Sequence, residues 1–69
     1  MKRSPVKSSN LKSVGFEKPS KSLEIEFKSG GLYQFSGVHP NTHRFLMAAP
    51  SKGKFFHKNI RGQYPFKKL

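Results

Sequence analysis

Residues 22–35 alternate apolar and polar side chains on both sides of a Ser-Gly-Gly turn, and this stretch constrains the fold more than any other. Alternation with a two-residue period predicts strands with one apolar and one polar face. A three-residue loop over residues 29–31, with Gly31 in the left-handed conformation, sets Phe27 opposite Tyr33. A two-residue loop would instead place the apolar row against polar partners. We therefore predict a β-hairpin whose facing pairs are Phe27–Tyr33, Ile25–Phe35 and Glu26–Gln34.

The two faces of this hairpin differ in chemistry. Tyr33 and Phe35 fall on the apolar side, where aromatic rings contribute most by packing in the core. Glu24 and Glu26, two of the three acidic residues in the chain, fall on the other side and would repel phosphate. We therefore interpret the sheet as a scaffold, unlike the sheets of RNA-recognition domains that stack bases.

A further strand is predicted before the hairpin. Leu11–Glu17 directs Val14 and Phe16 inward, and the Lys-Pro-Ser-Lys turn that follows has proline at its favoured second position. A four-residue loop there sets Phe16 opposite Leu23 and Val14 opposite Ile25. The three strands form an antiparallel meander.

Two short helices are predicted after the hairpin. Pro40 suits the first turn of a helix that ends at about residue 48 or 49. Four residues form its apolar stripe: Thr42, Phe45, Leu46 and Ala49. Ser51 is predicted to cap a second helix that runs to about Arg61, and Gly62 suits the left-handed position that ends it.

These elements predict an α+β fold: a three-stranded antiparallel β-meander followed by two short α-helices packed on one face. The 69 residues suffice for one small domain, which buries about 60% of its unfolded surface. Residues 1–9 contain a proline, three serines and three basic residues, and we predict them to be a flexible basic arm. Residues 10–69 are predicted to form the single domain.

The charge balance indicates a polyanionic partner. Fourteen Lys and Arg against three acidic residues give a formal net charge of +11. Nucleic acid is the commonest such partner for a small basic domain, an anionic membrane surface is an alternative, and a basic balance that serves solubility is another. The chain has no cysteine and no long apolar run, so we expect a cytoplasmic protein that does not enter the membrane.

The second helix carries a basic face. At 100° per residue, Phe56 and Ile60 share one side, and four basic residues cluster within about 100° on the other: Lys54, His57, Lys58 and Arg61. The helix has no acidic residue to pair with them, so we predict that this face contacts phosphates. The tail adds Lys67 and Lys68, and its two aromatic residues, Tyr64 and Phe66, either cover the core or offer stacking surfaces.

The sequence offers little catalytic chemistry. It has neither Asp nor Cys, and its three glutamates do not form the paired carboxylates that hydrolytic mechanisms use. His39 and His43 are four residues apart but have no third metal ligand nearby. We therefore expect no enzymatic activity, no cofactor and no metal.

Six short motifs in combination resemble the KTSC domain family over about residues 8–69. They are Ser9-Asn10, Ser29-Gly30-Gly31, Tyr33-Gln34-Phe35, Ala49-Pro50-Ser51-Lys52-Gly53, Asn59-Ile60-Arg61 and Tyr64-Pro65-Phe66. The family takes its name from the C-terminal segment of some lysyl-tRNA synthetases and also occurs as small proteins of bacteria and phages. The resemblance implies an intracellular domain for which RNA binding is the usual suggestion. Phe35 and Phe66 stand where tyrosine is typical, and His43 near another such position, which puts hydroxyl-dependent roles there in doubt.

We therefore predict a domain that binds the nucleic-acid backbone, with RNA preferred over DNA on the resemblance alone. Eight residues form the predicted site: Lys52, Lys54, His57, Lys58, Asn59, Arg61, Lys67 and Lys68. The alternative is a protein-interaction module, such as a phage-type modulator of a host enzyme, that binds an acidic protein surface. The sequence is compatible with a monomer or a weak dimer.

Overall fold

The computed structural model describes residues 3–69, which form a five-stranded antiparallel sheet and two helices. The elements in chain order are β1 (Ser4–Pro5), β2 (Leu11–Glu17), β3 (Ser22–Phe27), β4 (Leu32–Phe35), α1 (Pro40–Ala48), α2 (Lys52–Asn59) and β5 (Phe66–Lys68). Strands consecutive in sequence are adjacent in the sheet, so the spatial order is β1-β2-β3-β4-β5. The α+β class and the two helices are confirmed. The predicted number of three strands is wrong, because the meander gains one short strand at each edge.

Both additional strands are too short to show an alternating pattern. In β1, Ser4 pairs with Val14 and Pro5 with Ser13, so part of the predicted flexible arm lies along the edge of the sheet. Proline is tolerated there because one side of an edge strand needs no donor. Met1 and Lys2 of that arm lie outside the described residues.

The hairpin between β2 and β3 has the predicted register. Phe16 faces Leu23, and Val14 faces Ile25. A bulge at Lys12 shifts the pairing at the start of β2, and Leu11 and Val14, three residues apart, are therefore both buried in the core.

The hairpin between β3 and β4 is shifted by two residues from the prediction. The amide of Phe27 donates to the carbonyl of Gly31 at 2.8 Å, so the three-residue loop covers residues 28–30. Gly30, at φ 106°, takes the left-handed conformation that was predicted for Gly31. The observed pairs are Leu23–Phe35, Glu24–Gln34, Ile25–Tyr33 and Glu26–Leu32.

The predicted pairs Phe27–Tyr33, Ile25–Phe35 and Glu26–Gln34 are therefore wrong, whereas the loop length is confirmed. A shift of two residues leaves every side chain on the same face, so alternation could not distinguish the two registers. Gly31 has a different use. A Cβ at Gly31 would lie 2.7 Å from Cε1 of Tyr33, so glycine lets that ring lie against the backbone.

The hydrophobic core lies between the apolar face of the sheet and the two helices. Its buried members are Leu11, Val14, Leu23, Ile25, Phe35, Val38, Leu46, Phe56 and Ile60. Helix α1 contributes Leu46, and α2 with the turn that follows it contributes Phe56 and Ile60. The core therefore fixes α2 by one side and leaves its opposite side open.

The first helix begins at the predicted residue, and its cap was not predicted. Pro40 is the first residue of α1, and the imidazole of His39 accepts the amide N–H of Asn41 at 3.0 Å. In the predicted apolar stripe Leu46 is buried, but Phe45 is 55% exposed, so its assignment to the core is wrong.

The second helix is shorter than predicted. The Ser51 hydroxyl accepts the amide of Lys54, as expected of an N-cap, and α2 ends at Asn59 rather than near residue 61. Gly62 has a φ of 80°, as predicted. Within residues 3–69, neither helix is long and apolar enough to cross a membrane.

Candidate nucleic-acid interface

The second helix is held against the sheet by a close approach at its first turn. Gly53 is buried, and a Cβ there would lie 3.1 Å from Nδ2 of Asn10. Further along, Phe56 packs edge-on against Phe27 at 5.3 Å and against Phe35 at 5.5 Å between ring centroids. These contacts set the rotation of the helix, so that its basic side chains point away from the core.

The turn between β3 and β4 lies beside this helix. The amide of Lys28 donates to the carbonyl of Asn10 at 2.9 Å, which ties the turn to the start of β2. Because Asn10 also contacts the first turn of α2 at Gly53, Lys28 and the beginning of the helix are brought to the same side of the molecule.

Three depressions described among residues 3–69 share lining residues on this side of the molecule, and we call them together the basic groove. Its first part is lined by residues 6–9, Lys28 and residues 50–52. Its middle part shares Ser9 and Lys28 with the first and adds Asn10, Phe27, Ser29 and His57. Its last part, of about 320 Å³, shares Phe27, Ser29 and His57 and adds Tyr33, Phe56, Arg61 and Phe66.

The charged side chains that line the basic groove are all cationic or titratable bases: Lys7, Lys28, Lys52, His57 and Arg61. Among the described residues, no ion pair with a carboxylate involves any of them. Nη1 of Arg61 lies 3.4 Å from Nδ1 of His57. The ammonium of Lys52 donates to the carbonyl of Ala49 at 3.3 Å. This arrangement offers several unneutralised cations to a phosphate chain.

The acidic residues lie elsewhere. Glu24 accepts from the guanidinium of Arg3 at 2.9 Å, and Glu26 accepts from the Ser13 hydroxyl at 2.9 Å. Both glutamates lie on the outer face of the sheet, as predicted, and Lys12 approaches Glu26 at 4.0 Å. The outer face therefore neutralises its own carboxylates, and they do not reach the basic groove.

Three of the eight predicted site residues line the basic groove, and five do not. Lys52, His57 and Arg61 line the basic groove. Lys54 and Lys58 are exposed on the same helix but do not line it. The remaining three do not line it either: Asn59 donates its side-chain amide to the carbonyl of Phe55 at 3.3 Å, and Lys67 and Lys68 lie on β5, paired with Gln34 and Tyr33.

Sequence reasoning did not place Lys28 or Tyr33 at the binding surface. Lys28 was predicted to lie in a strand, and only the two-residue shift of the hairpin places it in the turn. Tyr33 was expected to be buried, but it is only half-buried and its ring lines the groove. The adjacent glycines at 30 and 31 were the available signal, since either one can supply the left-handed turn residue.

The two histidines on and before α1 have structural contacts of their own. His39 caps the helix, whereas the ring of His43 stacks on Phe16 with centroids 4.8 Å apart and planes 12° apart. Burial, followed by the nearby charge of Lys18, lowers the pKa of His43 below its ordinary value of 6.5. Neither histidine lines the basic groove.

Comparison with known proteins matches nearly the whole chain. The sequence profile of the KTSC domain matches residues 7–64. An uncharacterised protein of Stutzerimonas stutzeri is 38% identical over 64 residues, which are 93% of this chain and 90% of that protein. A lysine–tRNA ligase of Nostoc punctiforme is 39% identical over 59 residues, which are 86% of this chain but 10% of the ligase.

The fold also matches a solved structure. The crystal structure of a KTSC domain protein from Yersinia pestis superposes with a TM-score of 0.97 at 40% sequence identity. The match covers 99% of this chain and 96% of that one. The five-stranded architecture is therefore that of an independently solved relative.

Proposed function

The chain belongs to the KTSC domain family, and we propose that it is a non-catalytic domain that binds the nucleic-acid backbone, preferably RNA, in the basic groove. The observation that carries this proposal is the convergence of Lys7, Lys28, Lys52 and Arg61 on one groove that no acidic residue lines among residues 3–69.

Phosphate binding explains why these cations are left unpaired. Lysine and arginine that bind phosphates release condensed counterions from the nucleic acid, and this release drives association at low salt. The cations of the groove come from the β-turn, the helix and the N-terminal segment, so they are spread along its length. A flexible phosphate chain lying in the groove could contact them in succession. The preference for RNA draws on the relatives that are lysine–tRNA ligases, since tRNA stands in their name.

The groove cations, rather than every cation of α2, are expected to set the salt dependence of binding. We expect the triple variant Lys28→Gln, Lys52→Gln and Arg61→Gln to reduce the slope of log K against log salt concentration by about 2 to 3. Each phosphate that the variant no longer neutralises accounts for about 0.7 to 0.9 of this reduction. Binding to a labelled RNA oligonucleotide across a salt series measures the slope.

A matched control removes the same charge elsewhere. Lys18, Lys21 and Arg44 are exposed and do not line the groove, and their change to Gln should reduce the slope much less. A third variant, Lys54→Gln with Lys58→Gln, tests the exposed part of the basic helix face. Equal slopes for the groove variant and the parent would overturn the proposal and favour the alternative partner, an acidic protein surface.

A further inference from the structure

Five aromatic rings form a closed circuit at the end of the basic groove. Each ring contacts the next, in the order Phe27, Tyr33, Phe66, Phe35, Phe56 and back to Phe27, with centroids 5.3 to 5.6 Å apart. Tilted and edge-on contacts at this distance hold aromatic rings in fixed orientations.

The circuit is buried on one side and open on the other. Phe35 and Phe56 are 3% and 4% exposed and belong to the core, whereas Phe66 is 60% exposed. Covering a large apolar side chain at this exposure with a binding partner is favourable, because apolar area is then removed from water. Phe66 is nevertheless held in place, because β5 pairs it with Phe35 and its ring contacts Tyr33.

Four rings of the circuit line the depression of about 320 Å³, together with His57, Arg61 and Ser29. The lining thus combines aromatic rings with a guanidinium, an imidazole and a hydroxyl. A nucleobase has a flat aromatic face and a polar edge, and in a nucleic acid it is attached to a phosphate. The site presents partners for all three features.

We propose that this depression takes an unpaired base of a single-stranded nucleic acid, which stacks on Phe66 and Tyr33 while a neighbouring phosphate binds Arg61. The inference rests on the proposed function and narrows it. A duplex keeps its bases paired and stacked inside, so it would offer only its backbone to the groove and leave Phe66 exposed. The basic residues that line the groove favour a polyanion, and the aromatic rings beside them favour nucleic acid over an acidic protein surface.

Oligonucleotides that differ only in their bases test the proposal. A single-stranded oligonucleotide and an abasic strand of equal length carry the same phosphates, so backbone binding alone gives them equal affinity. We expect the parent protein to bind the strand with bases about tenfold or more tightly, in line with the measured contribution of base–aromatic stacking.

Substitution of Phe66 supplies the second test. Phe66→Ala should lose most of the difference in affinity between the strand with bases and the abasic strand, without changing the slope of log K against log salt concentration. Phe66→Tyr should keep both the difference in affinity and the slope. Phe45→Ala is the matched control, because Phe45 is 55% exposed but lies on α1 and does not line the groove. Thermal unfolding of each variant verifies that the fold is retained.

The outcomes separate this inference from the proposed function. Equal affinity of the parent for both strands, with no effect of Phe66→Ala, would overturn base stacking and leave backbone binding in place. Absence of binding to either strand at low salt would overturn both. A preference for the strand with bases that Phe66→Ala abolishes and Phe45→Ala keeps would support both.

Discussion

Individual side chains in this protein take roles that depend on one or two neighbours. Gly31 is needed where the ring of Tyr33 lies against the backbone, and Gly30 is needed for its positive φ. His43 stacks almost parallel on Phe16, and burial disfavours its charged form. The stack places a titratable group over the edge of the core, so the stability of the fold depends on pH.

The pH dependence has a definite sign. Because the pKa of His43 is lower in the folded protein than the ordinary value of 6.5, the unfolded chain takes up the proton first on acidification. The free energy of unfolding should therefore fall as the pH drops below about 6.5 and level off below the folded pKa. Urea unfolding between about pH 8 and about pH 5 measures this.

Two variants isolate the contribution of His43. His43→Gln should flatten this part of the pH profile, although it also loses the stack on Phe16. Lys18→Gln should keep the dependence but weaken it, because the charge of Lys18 is the smaller of the two causes. An unchanged profile in His43→Gln would show that the pH dependence has another source.

The edge strands extend the meander in different ways. β5 joins β4 after two intervening helices and carries Phe66 to the groove, whereas β1 is joined to β2 by only two residue pairs. Such a short strand gains little from backbone pairing alone. The side chain of Arg3, which bonds both Ser13 and Glu24 on the outer face, attaches it further, as does Val6, whose amide donates to the carbonyl of Lys12 at 3.2 Å.

The ion pair between Arg3 and Glu24 should therefore stabilise the edge formed by β1. The carboxylate is only 12% exposed, but the guanidinium is 31% exposed, so we expect a coupling energy of about 1 kcal/mol. A double-mutant cycle with Arg3→Ala and Glu24→Gln, followed by urea unfolding, measures it. A coupling energy near zero would indicate that this ion pair does not help to hold β1.

The molecule as a whole separates its charges. The basic groove runs beside α2 and the turn between β3 and β4, whereas Glu24 and Glu26 lie on the outer face of the sheet. Arg3, Ser13 and Lys12 engage those carboxylates locally. A polyanion that approaches the groove therefore meets positive potential with little opposition.

This separation predicts that the outer face does not take part in binding. Glu24→Gln with Glu26→Gln should leave RNA affinity unchanged or increase it within about threefold, since two negative charges are removed at a distance where salt screens them. The same variant should be less stable than the parent, because Arg3 loses its charged partner. A marked loss of affinity in the folded variant would identify the outer face of the sheet as part of the binding surface.

Local sequence was sufficient for the parts of the fold whose partners are close in the chain. The bounds of β2, the register of its hairpin with β3, the start of α1 at Pro40 and the Ser51 cap of α2 follow from alternation, turn residues and helix-start residues. The basic side of α2 could be predicted for the same reason, because helical geometry relates residues three and four apart.

Long-range packing decided the rest. The strands β1 and β5 exist only because β2 and β4 offer edges to pair with, and alternation cannot distinguish the observed register of the central hairpin from the predicted one, which differs by two residues. The groove combines Lys7, Lys28 and Lys52 from three separate segments, which no local pattern relates. Periodicity assigns a residue to a face, but the docking of α2 beside the turn determines which of the exposed cations stand together.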